Sequence, residues 1–129
     1  MIQTFEIDLP PTLNDQIRHA RGHWAKSAKI KKQHTAMVSY AASLLKPIEA
    51  EAYYLYFIWK IKNFGRDPDN ITAAAKFILD GLQDAGIIGS DNLRHLPGPY
   101  VHQFYRGKDT VEVWLSDQPI VQCKLLQLP

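Results

Sequence analysis

Over the first nine residues, Ile2, Thr4 or Phe5, Ile7 and Leu9 alternate with polar neighbours until Pro10-Pro11 closes the run. That period predicts a half-buried strand over Met1–Leu9 with a loop behind it. From Trp24 to Leu45 the apolar interval lengthens. Ile30, Met37, Tyr40 or Ala41, and Leu44 fall on one side of a helix, with Lys29, Lys31 and Lys32 on its solvated face. Glu51–Ile61 is dense in aromatic and β-branched residues. Tyr54, Tyr56, Ile58 and Lys60 fall on one side and Tyr53, Leu55, Phe57, Trp59 and Ile61 on the other, which predicts a strand covered on most of both faces. A second helix is marked by Ile71, Ala74, Ala75, Ile78, Leu79 and Leu82. Pro68 holds the residue before it out of the helical region, Asp69 or Asn70 serves as N-cap, and Gly86 stops the helix, with Gly81 weakening its last turn. Beyond an irregular Asn92–Pro99, Tyr100–Tyr105 and Thr110–Leu115 read as two strands joined in a hairpin by Arg106-Gly107-Lys108-Asp109. The tail from Pro119 is apolar enough to pack against something, a second subunit being one candidate. Together these elements predict one α/β domain over residues 1–129, a mixed β-sheet with helices packed against it.

Composition narrows this picture without changing it. A chain of 129 residues is the length of one domain and buries a real core, and it contains no internal repeat. Cys123 is the only cysteine, which excludes an intramolecular disulfide and a zinc site built on several thiolates. Glu6 and Asp8 interrupt the stretch where a signal peptide would carry its apolar core, and the longest apolar run, Tyr53–Trp59, is far too short to span a bilayer. The expectation is a cytoplasmic protein made without export, with no membrane contact.

The charge distribution changes more. The formal net charge is only +2, yet no acidic residue occurs from Gln16 to Ile48, where Arg18, Arg21, Lys26, Lys29, Lys31, Lys32 and Lys46 accompany His19, His23 and His34. So one-sided a segment sets up a positive field suited to a polyanion, and a phosphate backbone is the commonest such partner. The same lysines also fit the plain solvated face of a helix, and the two readings are compatible.

Candidate chemistry gathers in Gly65-Arg66-Asp67-Pro68-Asp69-Asn70. In an extended Asp-Pro-Asp segment, side chains two residues apart fall on the same side, so Asp67 and Asp69 form a carboxylate pair. Magnesium takes few protein carboxylates and keeps several waters, so this pair with a third ligand such as Asp91 would suffice. Asp-Pro-Asp-Asn is equally a turn followed by a helix cap. Both readings stand at this point.

Taken in order, Leu9-Pro10-Pro11-Thr12-Leu13-Asn14, the basic Arg18-His19-Ala20-Arg21-Gly22, the Arg66-Asp67-Pro68-Asp69-Asn70 loop, Lys76 followed by Asp80-Gly81-Leu82 and Ala85-Gly86, and then Asp91 resemble the RusA family of Holliday-junction resolvases over nearly the whole chain. The resemblance implies a RusA-like fold and a homodimeric, magnesium-dependent endodeoxyribonuclease that resolves four-way DNA junctions in recombination and repair, often borne by a phage or prophage. It assigns Asp67, Asp69 and Asp91 as catalytic, metal-binding acids and Lys76 as the catalytic lysine. Two positions depart from the family pattern. The family lysine follows the second loop aspartate by four residues, where this chain has Ala73, while Lys76 keeps the family's spacing to Asp80 and Ala85-Gly86; Ser90 stands where many relatives carry another acid. Lys76 and Asp80 also have the spacing of an (i, i+4) ion pair.

The expected chemistry is metal-assisted hydrolysis of a phosphodiester, with Lys76 or Arg66 neutralising charge on the phosphoryl oxygens. The partner is branched DNA, held by Arg66, Arg18, Arg21, Lys26, Lys29 and Lys32, and no nucleotide cofactor is expected. A two-fold dimer would place two equivalent sites for paired cuts in a junction of similar symmetry. No histidine receives a role, although His95 follows closely on Asp91. Two alternatives remain open, a branched-DNA binder that has lost cleavage and a metal-dependent hydrolase of small phosphate esters. The long acid-free segment disfavours the latter, because a small substrate needs no such extended positive surface.

Overall fold

A computed structural model describes residues 1–120, so the apolar tail beyond Ile120 lies outside the described residues. In chain order the elements are β1 (Ile2–Asp8), α1 (Leu13–Ala20), α2 (Trp24–Ser43), β2 (Tyr54–Ile61), α3 (Pro68–Thr72), α4 (Ala75–Asp84), β3 (Val101–Arg106) and β4 (Thr110–Ser116). The strands form one four-stranded sheet in the order β1-β4-β2-β3. β4 runs antiparallel to β1 and β2, while β3 runs parallel to β2, so the fold is an α/β domain with a mixed sheet.

β2 is the strand around which the core forms. Leu55, Phe57, Trp59 and Ile61 face the helices, Tyr56 and Ile58 face the other way, and none is more than 3% exposed. Burying each such side chain contributes about 1.5–3 kcal/mol, so a strand apolar on both sides is stabilised by an inner position with neighbours on each edge. On the helical side it packs with Val111, Val113 and Leu115 of β4, Val38 and Ala42 of α2, and Phe77, Ile78 and Leu82 of α4. Tyr56 and Ile58 form a smaller cluster with Ile120, flanked by Val101, Tyr105 and Trp114.

That inner position overturns the expected hairpin. β3 and β4 do not pair; each pairs with β2 from opposite sides, and the segment between them crosses over the end of β2. The Gly107 N–H donates to the Ile61 carbonyl at 3.2 Å. A Cβ on Gly107 would lie 2.6 Å from the Lys60 Cβ, so only glycine lets the crossing backbone pass this close.

Three further expectations are corrected. The chain between Pro11 and Trp24 is no plain loop: Thr12 and Asp15 form a reciprocal capping box that starts α1. The inner face of α2 is rotated from part of the expected one: Met37 and Ala41 pack against the core as expected, but Val38 and Ala42 are the fully buried positions while Tyr40 and Leu44 are 72% and 74% exposed. The rotation follows from the neighbour. Gly81 of α4 lies directly beneath Val38, an approach that small residues permit and Tyr40 would not. The expected central helix is divided into α3 and α4. Asp67 is its N-cap and Pro68 its first helical residue, in place of the Asp69 or Asn70 cap expected. The N–H groups of Ala74, Lys76 and Phe77 each donate three residues back. This tightening toward 3₁₀ geometry matches the buried spacing of Ile71, Ala74 and Phe77, which recur every third residue.

The strand directions gather the site. The C-terminal ends of β1, β2 and β3 lie on one edge of the sheet, and from it leave α1, the Lys62–Asp67 loop and the crossing segment. The Asn92–Leu96 turn lies at the other edge, where the Tyr53 N–H donates to the His95 carbonyl at 2.7 Å.

Candidate functional site

Asp67 and Asp69 line one open groove of about 470 Å³ together with Thr12, Leu13, Asn14, Asp15, Gly65, Arg66 and Asn70. Its walls are the start of α1 and the Gly65–Asn70 turn, held together by the Asn14 N–H, which donates to Asn70 Oδ1 at 2.9 Å. Gln16 strengthens the tie, its Nε2 donating to the Pro11 and Ala73 carbonyls at 2.9 and 3.1 Å. Asp67 caps α3 through its backbone alone, with no side-chain cap bond, and its carboxylate stays exposed, as does that of Asp69.

Asp15, Arg66 and Asp109, also at this edge, are engaged. Asp15 accepts from the Thr12 N–H and hydroxyl at 3.1 and 3.0 Å and pairs with Arg18 at 2.9 Å. Burial pushes its carboxyl up, but the two Thr12 bonds and the Arg18 and Arg66 guanidiniums outweigh this and hold it below the ordinary value. Arg66 lies 3.8 Å from Asp109, whose other oxygen accepts from the Lys62 N–H at 2.8 Å. Asp109 holds a left-handed φ of 61°, and its carboxylate fixes the Lys62–Arg66 loop to the crossing segment.

Across α1 lies a basic cleft. Gln16, His19, Ser27, Ile30, Lys31, Lys76 and Phe77 line one part of it, of about 170 Å³. Arg18, His19, Gly22, His23, Lys26, Ser27 and Ile30 line an adjoining part of about 330 Å³. His34 borders this region with its Nδ1 buried and without a hydrogen-bond partner among the described residues, its ring edge-on to Phe77 at 6.0 Å. Burial, then the nearby His19, lowers its affinity for a proton, against a smaller opposing pull from Asp15.

The residues singled out in the sequence divide among these surfaces. Asp67, Asp69 and Arg66 share the carboxylate groove; Arg18, Lys26 and Lys76 line the basic cleft. Lys32 lies on another face of α2 beside Asp80 and Asp84 of α4, which balance part of the lysine run from a distant part of the chain. Arg21 and Lys29 are exposed outside both recesses. Lys76 forms the (i, i+4) pair with Asp80 at 3.7 Å and does not line the carboxylate groove. Asp91 does not line the carboxylate groove; it immediately precedes the Asn92–Leu96 turn, which is tied to the start of β2, whereas Asp67 follows the end of that strand. Sequence reasoning placed His19 and Lys31 in the positive segment without assigning either to a DNA contact, and passed over Gln16. The capping box Thr12–Asp15 was the signal that a helix would carry Gln16 and His19 there.

Among the described residues no three His, Cys, Asp or Glu side chains converge to hold a metal ion. Two exposed carboxylates in one groove nevertheless fit magnesium, which binds through one or two carboxylates and completes its shell with water and substrate phosphate. No helix among the described residues is long and apolar enough to cross a membrane. No family model matches this chain, and no curated protein matches it.

Proposed function

We propose that this protein is a magnesium-dependent endodeoxyribonuclease acting on branched DNA, with the four-way junction as its substrate and a homodimer as its working form, in the cytoplasm. One observation carries the reading. The carboxylates of Asp67 and Asp69 stand without ion-pair partners among the described residues, in an open groove separated only by α1 from a cleft lined by Arg18, Lys26, Lys31 and Lys76. Asp67 and Asp69 would hold the magnesium ion, which supplies Lewis-acid stabilisation of a phosphoryl oxygen and a more acidic water. Arg66 borders the groove and would offset negative charge on the phosphate as it accumulates. The lysines and arginine of the cleft would carry the flanking backbone, a contact that orients DNA without reading its sequence. Lys76 takes part in this reading as a phosphate contact, because it lines the basic cleft and not the carboxylate groove. Asp91 does not line the carboxylate groove and would join it from a second copy of the chain.

The test is incubation with a synthetic four-way junction beside a linear duplex of the same sequence, in magnesium and in chelator. Paired nicks in the junction alone, lost in chelator, are expected. Mixed dimers of Asp69→Asn with Asp91→Asn locate the third acid: recovered cutting assigns Asp91 to the partner's site, and no recovery removes it from a shared site. A second reading, a branched-DNA binder without cleavage, is favoured by the Lys76–Asp80 pair and by Asp91 not lining the groove. Tight junction binding with intact DNA in magnesium would establish it.

A further inference from the structure

Beside the carboxylate groove lies a second recess of about 180 Å³, lined by Ile61, Phe64, Arg66, Pro68, Ile71 and Phe104. We propose that it is a stacking slot for one unpaired nucleobase of the DNA strand whose phosphate enters the Asp67–Asp69 groove; the inference rests on the DNA-directed reading above and adds the ligand group that the strand contributes.

Three features point to this occupant. The floor is apolar and fixed, since Ile61 and Ile71 are 1% and 3% exposed and belong to the core. One wall is Phe64, left 47% exposed on the loop after β2, with the Arg106 guanidinium 4.9 Å from its ring centroid. Arg66 lines both recesses, so a ligand filling them must combine a flat apolar part with an adjoining anion. A nucleotide has that form, and among the described residues no carboxylate lines the slot to repel it. Bases stack on aromatic side chains and on arginine planes, and a branch point offers bases that are already unpaired or cheaply unstacked, whereas a continuous duplex does not. Among the described residues Arg66 is the only side chain lining the slot with a hydrogen-bonding group, so stacking without base identification is the mode it supports. The slot thereby favours branched over linear DNA at the point of the proposed cut.

The experiment uses a four-way junction with 2-aminopurine at the branch nucleotide and a fluorescein at a distant arm end, in chelator so that nothing is cut. A matching linear duplex carries both labels. Fluorescein anisotropy reports binding; 2-aminopurine emission reports departure of the branch base from its neighbours. The wild-type protein is expected to bind the junction and raise 2-aminopurine emission there and not in the duplex. Phe64→Ala is expected to abolish the emission change and weaken junction affinity by about 5- to 150-fold, the scale of one lost base–aromatic stack, while Phe64→Trp restores both. Phe64 is half-exposed, and an unchanged melting temperature confirms that the alanine variant is folded. Junction binding with an emission change unaltered in Phe64→Ala overturns the slot and leaves the DNA-directed reading intact. Absence of any anisotropy change in the wild type overturns that reading and the slot with it. A shift of Phe64→Ala from dimer to monomer in sedimentation assigns the recess to a second copy of the chain and overturns the slot.

Discussion

Gly81→Ala tests the contact between α2 and α4, the helices that between them carry Lys31 and Lys76 of the basic cleft. In a helix interior the change alone would stabilise by about 1 kcal/mol, because alanine restricts the unfolded chain and favours the helix. The tertiary structure reverses the sign. The added Cβ would lie 2.4 Å from Val38 Cγ1, 2.5 Å from Val38 Cβ and 3.0 Å from the Ser39 backbone nitrogen. Carbon atoms rest about 3.5–4.0 Å apart, so α2 and α4 must separate by about 1 Å along their contact. Two of the atoms met first belong to a fully buried β-branched side chain and the third to backbone, so no flexible group can yield. Overpacking of this kind costs about 1–3 kcal/mol, and a gap of 0.5–1 Å forfeits about a quarter to a half of each dispersion contact between the helices. The net expectation is a destabilisation of about 1–2 kcal/mol, or a fall of roughly 3–10 °C in Tm for a chain of this size. Urea and thermal unfolding followed by circular dichroism measure it directly. A Tm at or above that of the wild type would show that α2 and α4 do not approach through Gly81, and would refute the rotation of α2 derived from it.

Asp69→Asn is expected to reduce junction cutting by at least about 100-fold, the scale of losing one electrostatic contact to the transition state, while junction binding holds or tightens; normal cutting would remove the metal site from this groove. For Lys76→Ala the expected effect is on affinity, with the slope of log K against log salt falling in magnitude by about 0.9. An unchanged slope with a slower cut would instead return the lysine to the reacting phosphate. His102 stacks on Phe57 with ring centroids 5.0 Å apart and accepts from the Trp59 indole N–H through Nδ1 at 2.9 Å, and its burial lowers its affinity for a proton. Its charged form is therefore disfavoured in the folded state. Stability is full above the unfolded value of about 6.5 and is lost as pH falls from there toward the lowered folded value. Unfolding midpoints from pH 7.5 to 5.5 should fall less steeply in His102→Asn, which keeps an acceptor for Trp59; equal slopes would show that His102 takes up its proton equally in the folded and unfolded states and that burial does not oppose it.

The sequence alone determined the parts whose physics is local or periodic. The two-sided apolar run of β2 announced a covered strand, and the separation of Tyr56 and Ile58 from Leu55, Phe57, Trp59 and Ile61 is the division between the two clusters on the sheet. The α/β class, the long helix α2 and the stop at Gly86, which has a φ of 73°, followed from spacing and from one residue suited to a left-handed turn. The association of Asp67 with Asp69 was legible because two residues one apart in a short turn cannot separate far.

Tertiary structure decided everything that depends on which distant segments meet. Burial on both sides gave β2 an inner position, so β4 pairs across it and the segment expected as a hairpin turn became a crossing. The close approach at Gly81 chose the inner face of α2 from two apolar stripes of similar content, because steric fit acts between helices and leaves no mark on the periodicity of either one. The same topology left Asp91 outside the carboxylate groove, before the turn tied to the start of β2, and set Lys76 against Asp80. It also joined Phe64, Arg66 and Phe104 into one recess beside the carboxylates, since the parallel pairing of β2 and β3 brings their C-terminal ends together. Order along the chain records which groups are present. Their distances are set by packing that balances contributions from the whole core, and no short window of sequence contains that balance.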